Sequence, residues 1–175
     1  LAYSAIAHAG ALLIGVMVAG SRAGPSALLY YAFTYGLATI GSFGVIAVVE
    51  RSGRCQAITD LAGLYRRSPL LAGCLAIFIL SLAGIPPLAG FFGKFAVFAA
   101  ALKMAGLSSA TGGLAIFAIA MSAVALYYYL VILKQALVAK PAADATSAIP
   151  VPRAASLTLV LIAAALVILG VFPSL

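Results

Sequence analysis

The 175-residue chain has no Trp, one His, two Cys and three acidic residues, and only 7% of its residues are charged. Soluble domains carry about 25% charged residues. The shortage excludes a soluble globular domain, a disulfide-rich module and a disordered chain. The two cysteines, Cys55 and Cys74, form no CxxC pair, and the single His adds too few ligands, so no metal site is expected. A nucleotide loop, a flavin fingerprint, a cysteine cluster and a Ser-His-Asp set are all missing, so no redox centre is expected on this chain. The net charge of +7 comes from Lys and Arg spread between apolar runs. That pattern orients membrane segments and argues against a nucleic-acid partner.

What fills the chain is apolar sequence, 66% of all residues. It predicts an all-α, polytopic transmembrane helix bundle in the lipid bilayer. A spanning helix needs about 20 mostly apolar residues. On that measure residues 1–175 form a single membrane domain with about five spans, at 1–19, 26–49, 70–102, 112–133 and 156–172, the last stopped by Pro173. The opening LAYSAIAHAG has neither an initiator Met nor a basic n-region. It reads as mid-helix and not as a signal peptide, and the expectation is a C-terminal piece of a longer protein.

With five spans, the loops 50–69 and 134–155 share a side. They hold Arg51, Arg54, Arg66, Arg67, Lys134, Lys140 and Arg153, against Arg22 and Lys103 on the other side. The positive-inside rule makes those loops cytoplasmic and points the C-terminus outward. Ala57–Tyr65 is expected to form a short interfacial helix with Thr59 as its cap. Tyr127, Tyr128 and Tyr129 read as an aromatic belt at the cytoplasmic interface, with Glu50 and Arg51 an interfacial pair.

The third span is anomalous. Its 33 residues would make a rod of about 50 Å, against a hydrocarbon core of about 30 Å. It contains Gly84-Ile85-Pro86-Pro87. Proline lacks a backbone donor and clashes with the preceding turn, so the helix is expected to break there. The result is a discontinuous helix, Leu70–Ala83 and Leu88–Leu102. Seven positions past Pro87 lies the tenth basic residue, Lys94, inside an apolar run. An intramembrane charge is costly and marks ion or proton pathways, and transporters place ion sites at broken helices. Desolvation disfavours an ammonium, so such a Lys can load and release a proton. The bland alternative is a Lys snorkelling to the interface from a continuous helix.

Two further features are candidates. His8 and Ser4 form an i, i+4 pair on one face. An unperturbed imidazole titrates near pH 6.5, which suits proton relay, while a neutral His bonded across a helix interface serves equally well as a reading. The second span carries Thr34, Tyr35, Gly36, Thr39, Gly41, Ser42 and Gly44. Packing explains such small and hydroxylated residues, and Thr34 and Thr39 are also candidates to hold waters beside Lys94.

Four segments, LAYSAIAHAG, TDLAGLYRRSP, SLAGIPPLAGFFGKF and ALYYYLVILK, occur in this order and together resemble the C-terminal third of subunit N of bacterial NADH-quinone oxidoreductase, respiratory complex I. The resemblance covers essentially the whole chain. It implies that Lys94 matches the lysine of the family's second broken helix, a central proton-channel residue. His8 matches the histidine of the polar axis between half-channels. Ala5 stands where the family has Ser. The first repeat, with its own lysine and Glu partner, has no counterpart here.

The function implied is that of a proton-translocating membrane-arm subunit in the bacterial inner membrane. It would belong to an enzyme of the respiratory chain and work beside other membrane-arm subunits. NADH, FMN, Fe-S clusters and quinone would lie in partner subunits. Lys94 would exchange its proton through waters near Ser81, His8 and the second-span hydroxyls. Two alternatives stand: a subunit of an Mrp-type cation/proton antiporter or membrane-bound hydrogenase, and a purely structural membrane subunit.

Overall fold

The computed structural model describes residues 2–53, 57–107, 109–140 and 148–172, and every regular element among them is helical. Arg54, Cys55 and Pro173, and residues 141–147 of the second long loop, lie outside the described residues. Helix α1 is Ala2–Met17 and α2 is Gly24–Ser52. Pro25 falls in the first turn of α2, where a missing N–H costs nothing. A 3-10 turn, Ile58–Leu61, and the one-turn helix α3, Leu64–Arg67, follow. Then come α4, Pro69–Ala83, and α5, Ala89–Ala105. Helix α6, Ala110–Leu133, runs on into a π-helical turn, Lys134–Val138, and α7 is Arg153–Val171. The expected all-helical bundle is what forms. Helix α2, the stretch Ala110–Val138 and α7 are each long and apolar enough to cross a membrane, while α1 and α4 are shorter apolar helices.

The interfacial segment differs from the single helix expected over Ala57–Tyr65. Gly63 takes a left-handed conformation, φ 69°, and divides the 3-10 turn from α3. Thr59 lies within the turn and not at its cap. Asp60 does the capping instead: its Oδ2 accepts from the Ala57 N–H at 2.9 Å. The segment is tied to the other loop on its side, since the Gly63 N–H donates to Gln135 O and the Ile149 N–H to Arg67 O.

Helix α2 is the spine. It packs along α1, α4, α5 and α7. Its small residues let the neighbours in, as expected where apolar surface gives no preferred pairing. Phe78 of α4 is fully buried, and its ring lies on Gly41 so closely that a Cβ there would stand 2.6 Å from it. Gly41→Val is therefore expected to cost about 1–3 kcal/mol by overpacking. A lowered thermal midpoint of the detergent-solubilised subunit would register it, and an unchanged midpoint would refute the contact.

The outer faces are also apolar: Phe33, Phe43, Phe117 and Leu161 are all more than half exposed. Helices that are apolar all round are buried in lipid or against other membrane segments.

Candidate functional site

Helix α4 ends at Gly84, whose φ of 82° is the left-handed geometry a helix C-cap favours. The N–H groups of Gly84 and Ile85 turn back onto Leu80 O and Ser81 O. Pro86 and Pro87 are exposed in the turn, and the chain re-enters a helix at Ala89. The broken span expected from Gly84, Pro86 and Pro87 is thus present.

The break leaves the last carbonyls of α4 without helical partners. Lys94, in the second turn of α5, folds back to them: its Nζ donates to Leu82 O at 2.8 Å and to Ala83 O at 3.3 Å. A helix C-terminus carries partial negative charge, so these oxygens suit an ammonium. The other side of Lys94 meets a cavity of about 380 Å³ between α5 and α6, walled by Phe91, Phe95, Phe98 and Leu126 with Ser122 as a polar neighbour. The side chain therefore does not run out along a continuous helix, as snorkelling would require.

Three close approaches hold the break. Gly90 lies against α4, where a Cβ would meet Ser81 O at 1.9 Å, and its N–H donates to Ser81 Oγ at 3.2 Å. Ser81 thus stitches the two half-helices together. Gly170 of α7 lies on the break itself, where a Cβ would stand 2.1 Å from Pro87 O. Next to it, Tyr30 Oη donates to Leu169 O at 2.7 Å. Gly93 lets α5 onto α2: a Cβ there would stand 2.9 Å from the Tyr31 ring and 3.3 Å from Thr34 Oγ1.

A second polar group adjoins this one. His8 is only 3% exposed. Its Nδ1 pairs with Tyr31 Oη at 2.6 Å and its Nε2 with Tyr129 Oη at 3.1 Å. The Tyr35 ring stacks on the imidazole at 4.5 Å between centroids. Ser4 Oγ hydrogen-bonds the Tyr129 hydroxyl, so Ser4 and His8 share one partner.

Of the residues expected from sequence, Ser4 and His8 come together at one end of this array, and Lys94, Gly84 and Ser81 at the other. Thr34 sits between them, but its hydroxyl donates to the Tyr30 and Tyr31 carbonyls of its own helix at 2.9 and 3.2 Å. Thr39 Oγ1 is buried with no hydrogen-bond partner among the described residues. Sequence reasoning missed Tyr31 and assigned Tyr129 to the belt. Tyr127 and Tyr128 are 68% and 65% exposed, whereas Tyr129 is 4% exposed and turned inward. The i, i+4 spacing of Tyr31 and Tyr35, the same as that of Ser4 and His8, was the available signal.

Comparison with known proteins agrees with this architecture. A family model described as NADH:quinone oxidoreductase/Mrp antiporter, TM, matches residues 1–122. NADH-quinone oxidoreductase subunit N 2 of Acidobacterium capsulatum is 52% identical over 175 residues, which is 100% of this chain and 35% of that protein. Subunit N of Salinibacter ruber is 44% identical over 98% of this chain and 35% of its own length. That of Chloroflexus aggregans is 39% identical over 99% of this chain and 34% of its own. A solved structure of respiratory complex I from Thermus thermophilus with bound aureothin contains a chain matching at a TM-score of 0.80 and 35% identity, over 100% of this chain and 38% of that one. The chain spans about a third of the length of the curated relatives it matches. The resemblance to subunit N read from the four sequence segments holds. On the family model and the fold together, this chain belongs to the NADH:quinone oxidoreductase/Mrp antiporter transmembrane family.

Proposed function

We propose that this chain is the C-terminal part of a proton-translocating membrane-arm subunit of a bacterial NADH:quinone oxidoreductase, and that Lys94 carries the proton. The observation that supports this most directly is the seat of Lys94 on the Leu82 and Ala83 carbonyls at a helix break. Two environments act on one amine. The carbonyls favour the charge, and the apolar cavity wall does not, so a modest change in field along the membrane arm can move the balance. His8 acts beside it as a relay, because both of its ring nitrogens have hydroxyl partners.

The rest of the assignment follows from that reading. Residues 1–175 form a single membrane domain in the inner membrane. The loops 50–69 and 134–155 face the cytoplasm, given Arg51, Arg66, Arg67, Lys134, Lys140 and Arg153, and the C-terminus faces outward. NADH, FMN, the iron–sulfur clusters and the quinone would belong to partner subunits, as the likeness to a subunit of respiratory complex I implies. The names of the relatives favour this reading over an Mrp-type antiporter.

The test is purification of the tagged, full-length gene product from native membranes, followed by reconstitution into liposomes. It is expected to bring down an NADH:quinone reductase that drives proton uptake. Cation/proton exchange without NADH oxidation would reject the proposal in favour of the antiporter.

A further inference from the structure

We infer that helix α7 braces the helix break, and that Tyr30 and Gly170 are positioning residues that hold the Leu82 and Ala83 carbonyls where the Lys94 amine can use them. The inference rests on the proposal that Lys94 carries the translocated proton, and it adds which residues outside the broken helix fix its seat.

The turn between the half-helices is poorly held by its own backbone. Pro86 and Pro87 have no N–H to donate, and the Leu88 N–H reaches back only as far as Ile85 O, at 3.1 Å. Neighbouring helices must therefore fix its position. Helix α7 packs against both half-helices, α4 and α5, and against the spine α2. Its buried Leu159, Ala163 and Leu166 share one core cluster with Leu82, Ala83 and Ala89, the residues on either side of the break.

In the last turn of α7 the contact becomes backbone on backbone. A Cβ on Gly170 would stand 2.1 Å from Pro87 O and 2.6 Å from both Leu88 C and Ala89 N, so only glycine lets α7 come this close. Helix α7 ends at Val171, which puts Leu169 O among the carbonyls with no partner inside the helix. The Tyr30 hydroxyl fills that place at 2.7 Å. One residue on, Tyr31 lies against Gly93, the neighbour of Lys94: a Cβ on Gly93 would stand 3.2 Å from Tyr31 Cα. A single turn of α2 thus ties down the end of α7, and through it the turn, as well as the helix that carries Lys94.

The tolerance is small. Lys94 Nζ donates to Leu82 O at 2.8 Å and to Ala83 O at 3.3 Å, and the longer bond is already near the limit for an N–H···O contact. A slight withdrawal of the end of α4 breaks it. Misplacing a reacting group by about 1 Å can cost about a hundredfold in rate. Residues that fix the break therefore matter to the transfer although they exchange no proton themselves.

The inference is tested in the complete enzyme reconstituted in liposomes, with Tyr30→Phe, Gly170→Ala, Gly44→Ala and Lys94→Met compared per mole of assembled complex. Tyr30→Phe deletes one oxygen and keeps the ring. It is expected to slow NADH-driven proton uptake about three- to tenfold, the factor that one hydrogen bond supplies, and to displace the pH profile of uptake by about half a unit or more, the same factor on the pH scale. Gly170→Ala drives the end of α7 off the turn and is expected to act in the same sense. Gly44→Ala disturbs α7 near its other end, where the Cβ would meet Leu159 Cδ2 at 3.0 Å, and is expected to leave both readings native. A Tyr30 that only stabilises the bundle would lower the amount of complex and leave its uptake and pH profile native, and that result overturns the brace. Equal losses in Gly44→Ala and Tyr30→Phe overturn it too, because any loosening of α7 would then suffice. If one of Tyr30→Phe and Gly170→Ala fails to assemble, the other decides by the same criteria, and failure of both assigns α7 a structural role and overturns the brace. Native uptake by Tyr30→Phe when Lys94→Met is inactive leaves the proposed function standing without the brace. Native uptake by Lys94→Met removes both.

Discussion

Lys94→Met in the complete enzyme is expected to reduce NADH-driven proton uptake by about a hundredfold or more, the scale on which a positioned proton-transfer group acts. Met nearly matches Lys in length, so the wall shared with Phe91, Phe95 and Phe98 stays filled and the fold is spared. What is lost is the amine on the Leu82 and Ala83 carbonyls. Lys94→Arg separates charge from proton transfer. A guanidinium keeps the positive charge and does not release its proton at any physiological pH. Arg is therefore expected to fail as Met does, although it restores the electrostatics. Stopped-flow dye measurements on proteoliposomes, normalised to assembled complex, give the comparison. Pumping retained by Arg but lost in Met would assign Lys94 a purely electrostatic role, and pumping retained by Met would assign it none.

Gly90→Ala is expected to have the largest structural effect of any single methyl. The added Cβ would stand 1.9 Å from the Ser81 carbonyl oxygen and 2.7 Å from its carbon. Both are backbone atoms, so no rotamer change relieves the clash. The two half-helices must part, and the Ser81 Oγ bond to the Gly90 N–H is lost with them. Overpacking usually costs about 1–3 kcal/mol, and a backbone clash at a helix–helix crossing belongs at or above the top of that range. The expected result is a severe loss of assembled complex on native gels, with translocation lost in what remains. Gly73→Ala, within α4, is the control. Its Cβ would meet nothing within 4 Å, and Ala favours a helix over Gly by about 1 kcal/mol. Equal amounts of both variants would mean that the half-helices do not cross at Gly90.

The contrast between Lys94 and Tyr129 shows where a sequence is readable. Lys94 stands out because a basic residue in an apolar run is costly wherever the helix points, and a pair of prolines breaks a helix whatever surrounds it. Tyr129 follows two tyrosines just before a lysine, which is how an interfacial belt is spelled. Only its rotation distinguishes it from Tyr127 and Tyr128. Thr59 and Asp60 repeat the point on a smaller scale. Both are capping residues by type, and the path of the 3-10 turn gave the role to Asp60, whose Oδ2 accepts from the Ala57 N–H.

The spans, the discontinuity at Gly84, Pro86 and Pro87, and the isolated Lys94 are properties of local sequence, because span length, proline chemistry and charge burial act within a few turns. The bundle decided which face of each helix meets which neighbour. It directed Lys94 to the Leu82 and Ala83 carbonyls, bonded Ser81 to α5, and joined Ser4 to Tyr129 across 125 positions. The physical reason is that helices apolar on every side carry no amphipathic stripe to fix their rotation. Rotation is set instead by close approaches at Gly41, Gly90, Gly93 and Gly170 and by hydrogen bonds between distant helices, which exist only after the helices have packed.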